Sequence, residues 1–398
     1  MLGKRTVAFA IAGIMTLTLA ACGNQTATSI DDSDLTTTVQ DEPLTTEPLP
    51  TAPAPSNPAP AKAKFQITPT TAQSLQTEPY QTADFSMTIP KGWRVTTGGT
   101  NIFHSIRVSD PNEPLNQMFI LLKADLLLHS QAGKAAWQQN YQMGNSQAAI
   151  FSQAPVLENP STESLFRVFP QYASFVSTVE SSYSGYVFPQ FADFSVVERF
   201  PSNSSLAASA IGDELLRATF TDNGKAGEGM FTASVVDFGS IPVATGNVSN
   251  YQLQTVDGGW YSAYNIMAIT AAKDTFIDWE GLLTNCMKTL QYSSSFVNAA
   301  NQASDAAAAQ ATQISQNFNE AMDGMMSSWQ QRDKSQDIMS QKQSDATLGY
   351  ERVYDTDSGK IYKATNGFTD VYTGNRFKPV TDDNMYAEPV SGYIEKMD

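Results

Sequence analysis

The chain has 398 residues, a net charge of −16 and 2 cysteines. So acidic a surface excludes nucleic acid and anionic lipid headgroups as charge-recognised partners, because neither gains by exchanging its counterions for a negative protein. Apolar residues make up 41% of the chain against 16% charged, which is enough to build a packed core without disulfides.

At the amino end, Lys4 and Arg5 precede an apolar run from Val7 to Leu19, too short to span a bilayer comfortably. Leu19, Ala20, Ala21 and Cys22, followed by Gly23, close it with small residues that suit a narrow peptidase site. This lipobox resembles the signal peptides of bacterial lipoproteins. The resemblance implies that the Cys22 sulfur receives a diacylglyceryl group, that residues 1–21 are removed, and that the chain sits on the extracytoplasmic face of a cell membrane, held by its lipid. Each buried methylene contributes about 0.8 kcal/mol, so two or more acyl chains anchor stably. The competing reading is a chance cysteine beside a cleaved secretory signal. Loss of Lys4 and Arg5 moves the net charge by two, from −16 to −18. Only Cys286 then remains, so no intrachain disulfide forms in the mature chain.

Residues 22–64 hold the lipidated cysteine and a Thr/Pro-rich tether with almost no large apolar residue, a composition that predicts disorder. Its prolines favour extended conformation, and roughly 40 residues at about 3.1 Å each reach on the order of 100 Å.

An α/β domain is expected over residues 80–292. Asp84–Ile89 alternates apolar and polar residues, and Pro90-Lys91-Gly92 predicts a hairpin turn into Trp93-Arg94-Val95. Ser105–Val108 and Met118–Leu122 read as two further strands, and Gly133–Met143 as a helix. Leu215–Thr221 and Gly229–Val236 flank the turn Asp222-Asn223-Gly224, with a third strand of the same meander at Trp260–Thr270. In the helix Asp278–Leu290, Trp279, Leu282, Leu283, Cys286 and Leu290 share one face, so Cys286 reads as a small core residue. The expected fold class is α+β, an antiparallel sheet with helices on one face. The run Phe85–Trp93, the strand Tyr261–Thr270 and the helix Asp278–Leu290 resemble the opening and closing elements of the PsbP-like α/β sandwich. That resemblance implies a non-catalytic role in binding or assembly and carries over no site residues.

An aromatic insertion at about 145–213 departs from that pattern. Phe166, Tyr172, Tyr183 and Tyr186 are candidate ligand-binding residues there, since exposed rings give contact area at low entropic cost. The alternative is packed core, because Leu165, Phe169 and Tyr172 also fit one helical stripe. A helical segment is expected over 296–345, where Ile314, Phe318, Met322, Met325 and Trp329 recur at helical spacing. A small β-rich module at 348–398 closes the chain, its strands Glu351–Tyr354 and Lys360–Lys363 joined by a turn. In that turn Asp355 and Asp357 form a weak calcium candidate, with Lys360 and Asn366 standing where an EF-hand loop needs Gly and Glu.

No motif assigns a catalytic residue, a cofactor or a transition-metal site. The two histidines, His104 and His129, lack a His-Glu-x-x-His context and any cysteine cluster. The sequence therefore favours a membrane-anchored lipoprotein with a non-catalytic binding or scaffolding role toward an envelope protein. A glycan- or small-ligand-binding lipoprotein using the aromatic insertion is the alternative, and a hydrolase of unrecognised type comes third.

Overall fold

A computed structural model of the chain describes residues 64–201, 206, 209–247, 252–303, 342–343, 345–381 and 390–397. The signal segment, the tether up to residue 63 and the stripe from Ile314 to Trp329 lie outside the described residues.

The chain opens with β1 (Lys64–Pro69), the one-turn α1 (Thr71–Ser74), β2 (Thr77–Gln81), β3 (Phe85–Pro90), β4 (Arg94–Gly98), β5 (Ser105–Ser109) and β6 (Gln117–Leu128). Helices α2 (Gln131–Gln142), α3 (Ala148–Gln153) and α4 (Thr162–Val179) come next. Strands β7 (Ala192–Pro201), β8 (Gly212–Asp222), β9 (Lys225–Asp237), β10 (Pro242–Asn247), β11 (Gln252–Asp257) and β12 (Trp260–Ala272) follow. Then come α5 (Phe276–Met287), β13 (Gln291–Tyr292) and α6 (Ser294–Ala303). The closing part holds β14 (Tyr350–Asp355), β15 (Lys360–Thr365), α7 (Phe368–Val371), β16 (Phe377–Pro379) and β17 (Val390–Met397).

The main sheet runs β4-β5-β6-β12-β9-β8-β7 and is antiparallel throughout. Strand β6, inside the sheet, is apolar on both sides, and its alternate residues serve two cores. Phe119 and Leu121 pack with Leu165, Phe166 and Phe169 of α4. Met118, Ile120 and Leu122 pack with Phe276, Leu283 and Cys286 of α5 and with Phe85, Met87 and Ile89 of β3. Helices thus cover both faces, which corrects the expectation of one. The sheet needs two covers because buried apolar side chains leave both of its faces, each contributing about 1.5–3 kcal/mol on burial. The fold is α+β, as expected.

Helix α4 starts where Ser161 Oγ accepts from the Ser164 N–H at 3.0 Å, with Glu163 favourably placed in the first turn. Gly212 lets β8 begin against this helix: a Cβ there would stand 2.6 Å from Ser161 Cα.

Three further expectations change. Residues 85–90 and 94–98 do not form a hairpin: β3 pairs with β2 and β13, whereas β4 pairs with β5. Residues 64–79 belong to the fold, ahead of the expected start at residue 80, because β1 pairs antiparallel with β17. The closing module consequently extends beyond the expected 348–398: it is the sheet β1-β17-β15-β14-β16, with β15 and β17 parallel.

That small sheet is docked on the body. Ile277 of α5 and Val197 of β7 pack with Leu348, Tyr350, Ile361, Val380 and Val390. Beside them lies a buried charge network. Arg217 of β8 donates from Nε to Glu228 at 2.8 Å and from NH1 to Asp345 at 3.1 Å, and Arg352 of β14 stands 3.1 Å from Asp345. Burial alone would lower the Arg217 pKa, but the oxygens of Tyr350, Glu228 and Asp345 hold it well above its ordinary value. Such a network fixes one docking register more than it adds stability.

Candidate functional site at one end of the main sheet

The four aromatic residues proposed as ligand contacts are interior. Phe166 is 0% exposed, Tyr172 and Tyr183 are each 1% exposed, and Tyr186 is 7% exposed. Phe166 stacks on Phe194 at 5.4 Å and meets Phe231 edge-on at 4.9 Å. The Tyr186 hydroxyl lies 2.7 Å from Ser105 Oγ, and the Tyr183 hydroxyl donates to the Phe103 carbonyl. Burial pushes all three tyrosine hydroxyls far above their ordinary value. These rings are core, and the insertion offers them to no external ligand.

Asp355 and Asp357 do not frame a cation loop. Arg376 donates to both Asp355 oxygens, at 2.7 and 2.8 Å, and stands 3.3 Å from Asp357, while Ser358 Oγ adds a bond of 2.7 Å. Those bonds hold the Asp355 carboxyl down at about 2. A guanidinium occupies the position a calcium ion would take. Among the described residues no group of three His, Cys, Asp or Glu side chains could hold a metal.

His104 is buried among Phe85, Tyr292 and Phe296, with Nδ1 3.5 Å from the Tyr292 hydroxyl. Burial lowers its pKa to about 4, so it is a neutral core residue. Cys286 is buried as well, and its thiol is pushed up to about 11, far from reactive.

The polar and aromatic groups that do converge lie where β6 and β9 end and β12 begins. The register of β12 shifts between Tyr261 and Ala263 and again between Tyr264 and Met267, and Leu126 and Asn265 adopt positive φ of 60° and 49°. Such bulges re-aim side chains at strand ends. Here a charged pair stands beside them on β6. Lys123 Nζ donates to Asp125 at 3.0 Å and is ringed by Phe238, Tyr264 and Phe103, whose ring centres lie at 5.0, 5.5 and 5.6 Å. Asp125 also accepts from Trp260 Nε1 at 3.0 Å, from the Leu126 N–H at 3.0 Å and from Ser262 Oγ. Burial would raise the Asp125 carboxyl, but Lys123 and these donors hold it below its usual range, so the pair stays ionised.

A row of rings extends from this pair. Phe238 lies parallel to Trp260 at 6.2 Å, Trp260 meets Phe151 at 5.5 Å, and Phe151 stacks on Trp137 at 4.5 Å. Phe238 is exposed and the other three are half-buried. The hairpin β10–β11 forms a two-stranded arm beside the row, clasped to α2. Asn140 Nδ2 donates to the Ala244 carbonyl and Gln139 Nε2 to the Gly246 carbonyl, each at 2.8 Å, and Trp137 Nε1 donates to the Gly258 carbonyl at 2.9 Å.

His129 stands at the base of that arm. Its Nδ1 lies 2.8 Å from Asp257 Oδ2, and its Nε2 lies 3.1 Å from Asp237 Oδ1. Nδ1 is within hydrogen-bond reach of Asp257, whereas Nε2 makes only an ion-pair-distance contact with Asp237 and no hydrogen bond. Sequence reading named His129 but missed the rest of the constellation. A Lys-Ala-Asp triplet inside a run of Leu and Ile was its one local signal, and the partners of those residues come from β12, from Phe238 just after β9 and from Phe103. No protein-family model and no curated protein matches this chain.

Proposed function

We propose that the chain is a membrane-anchored, extracytoplasmic lipoprotein with a non-catalytic role in binding or scaffolding other envelope components. The anchor rests on Leu19, Ala20, Ala21 and Cys22. Among the described residues no helix is long and apolar enough to cross a membrane. The observation that carries the non-catalytic part is the placement of the histidines. One is buried and neutral, and the other is engaged by two carboxylates. A fold relationship to the PsbP-like sandwich belongs to the same proposal, and the packing of β3 against α5 supports it.

Fractionation of cells tests the reading. Wild-type protein should stay with membranes through high-salt and alkaline washes and leave only with detergent, while Cys22→Ala should be soluble or remain an uncleaved precursor. Release of the wild-type protein by salt alone would overturn it.

One observation favours ligand binding as a second reading: the ring row from Phe238 to Trp137, with Asp237 and Asp257 exposed at its edge. Aromatic faces take the C–H faces of sugars, and carboxylates accept their hydroxyls. On this reading the glycan contact moves from the buried insertion to the end of the main sheet. A glycan array with the wild-type chain and Trp260→Ala decides it, because signal in the wild type that the variant lacks is required.

A further inference from the structure

The closing sheet has two faces, and they meet different surroundings. Tyr350 and Ile361 pack with Ile277 and Val197 of the body, whereas the alternate residues Val353, Tyr362 and Ala364 serve a separate core on the other side. That other side is covered by a cluster of rings. Phe65 lies 5.3 Å from both Phe368 and Tyr372, those two stack at 5.3 Å, and Tyr372 meets Phe377 at 5.4 Å. Phe377 is buried, but Phe65, Phe368 and Tyr372 are half-buried, and Val371 beside them is 78% exposed. Among the described residues no large apolar side chain is more exposed. The cluster is also held in shape, because Glu351 of β14 accepts from the Thr369 N–H and, at 3.1 Å, from its Oγ1, which fixes α7.

A contiguous apolar patch in water marks a surface that something apolar covers. Chain connectivity points to what that is. Phe65 belongs to β1, an edge strand of the closing sheet, and residues 23–64 join it directly to Cys22. The reach of that tether, on the order of 100 Å, is a ceiling, so a lipid at Cys22 keeps the membrane surface at high effective concentration beside the cluster. Rings with an apolar body and a wet edge settle at the boundary between headgroups and acyl chains. Charge adds little, since Arg376 is paired with Asp355 and the exposed Asp370 and Lys378 are of opposite sign. A zwitterionic headgroup layer fits such a patch, whereas an anionic one finds no basic cluster to recognise.

We infer that Phe65, Phe368, Val371 and Tyr372 form a second, non-covalent membrane contact, seated at the headgroup level of a zwitterionic bilayer. The inference rests on the lipid anchor at Cys22, because so few partly buried side chains would not hold the chain on a membrane unaided. With one face on the bilayer and the opposite face on Ile277 and Val197, the closing sheet becomes the layer between membrane and body.

The test uses the lipidated full chain in phosphatidylcholine vesicles. Val371→Cys carries an environment-sensitive fluorophore. Cys286 is buried with its thiol pushed up to about 11, and Cys22 is occupied by lipid, so the label goes to position 371. Val187→Cys, at a valine 67% exposed ahead of β7, is the control. Phosphatidylcholine bearing a nitroxide near its headgroup should quench the label at 371 by about half and leave that at 187 bright. With the label moved to Thr373→Cys, Val371→Asp should remove most of the quenching. Equal quenching at 371 and 187 in chains that float with the vesicles would overturn the contact and leave the anchor standing. Chains that do not float would overturn the anchor and the contact with it. A label at 371 that is shielded from aqueous iodide but untouched by the lipid nitroxide would mean that a second copy covers the patch, which also overturns the inference.

Discussion

Replacing Arg217 with Met examines how the closing module is held. The guanidinium is fully buried and meets Glu228, Asp345 and the Tyr350 hydroxyl, all of them buried. Met has similar length and no charge, so the variant leaves Glu228 without its cation, while Asp345 keeps Arg352. Removing one partner of a buried pair costs about 3–5 kcal/mol, mostly as the penalty of the orphaned charge. Arg199 supplies the control: it pairs with Glu163 and Glu214, but its side chain is 47% exposed, so Arg199→Ala should cost less than about 1 kcal/mol. Because Arg217 lies on β8 and its partners Asp345 and Tyr350 belong to the closing part, the loss should appear first as faster hydrogen exchange over β14 and β15, and then as a lower urea midpoint. Adding Glu228→Gln should recover part of the loss by removing the orphan. An Arg217→Met midpoint no lower than that of Arg199→Ala would refute the reasoning.

Three other outcomes are expected. Burial lifts the Asp278 carboxyl to about 7, against the pull of Lys363. Stability from this carboxyl is therefore full below about pH 4 and is lost progressively as pH rises through 7, because in that window the folded chain keeps a proton that the unfolded chain has lost. Asp278→Asn should flatten the stability profile by up to about 1.4 kcal/mol per pH unit, and superimposable profiles would contradict the assignment. Asp355, held at about 2 by Arg376, contributes the opposite way: its stabilisation is present above about pH 4 and is lost toward pH 2. Arg376→Gln should accordingly move the acid-unfolding midpoint to higher pH, which circular dichroism reads directly. Phe166→Ala should cost about 3–5 kcal/mol in chemical unfolding, as for a wholly buried ring, and a loss below about 1 kcal/mol would mean that the ring is a surface contact.

Local signals made parts of this fold legible. Asp222-Asn223-Gly224 marks the β8–β9 hairpin because Asn223 and Gly224 take the positive φ values, 50° and 78°, that such a turn requires. The apolar periodicity around Cys286 placed its helix face in the core. Pairing was less legible. Pro90-Lys91-Gly92 does turn the chain, yet it sends β3 and β4 into different sheets, a choice made by packing against α5 and not by the turn itself. The β1–β17 ladder joins the two ends of the described residues, and nothing in residues 64–69 names so distant a partner. The same holds for the end of the main sheet. His129 and Asp257 are separated by 128 positions, so their meeting is a property of the topology. The insertion misled in the opposite direction, since ring content alone does not separate a core from a binding face, and α4 resolves the ambiguity by laying those rings on Phe119 and Phe231.

The central claim is that this body is held at a membrane through Cys22. Mass spectrometry of the amino-terminal peptide, taken from protein extracted out of membranes with detergent, tests it most directly. The peptide should begin at Cys22 and carry the mass of a diacylglyceryl group. A mature peptide that begins at any other residue, or at an unmodified Cys22, would contradict it.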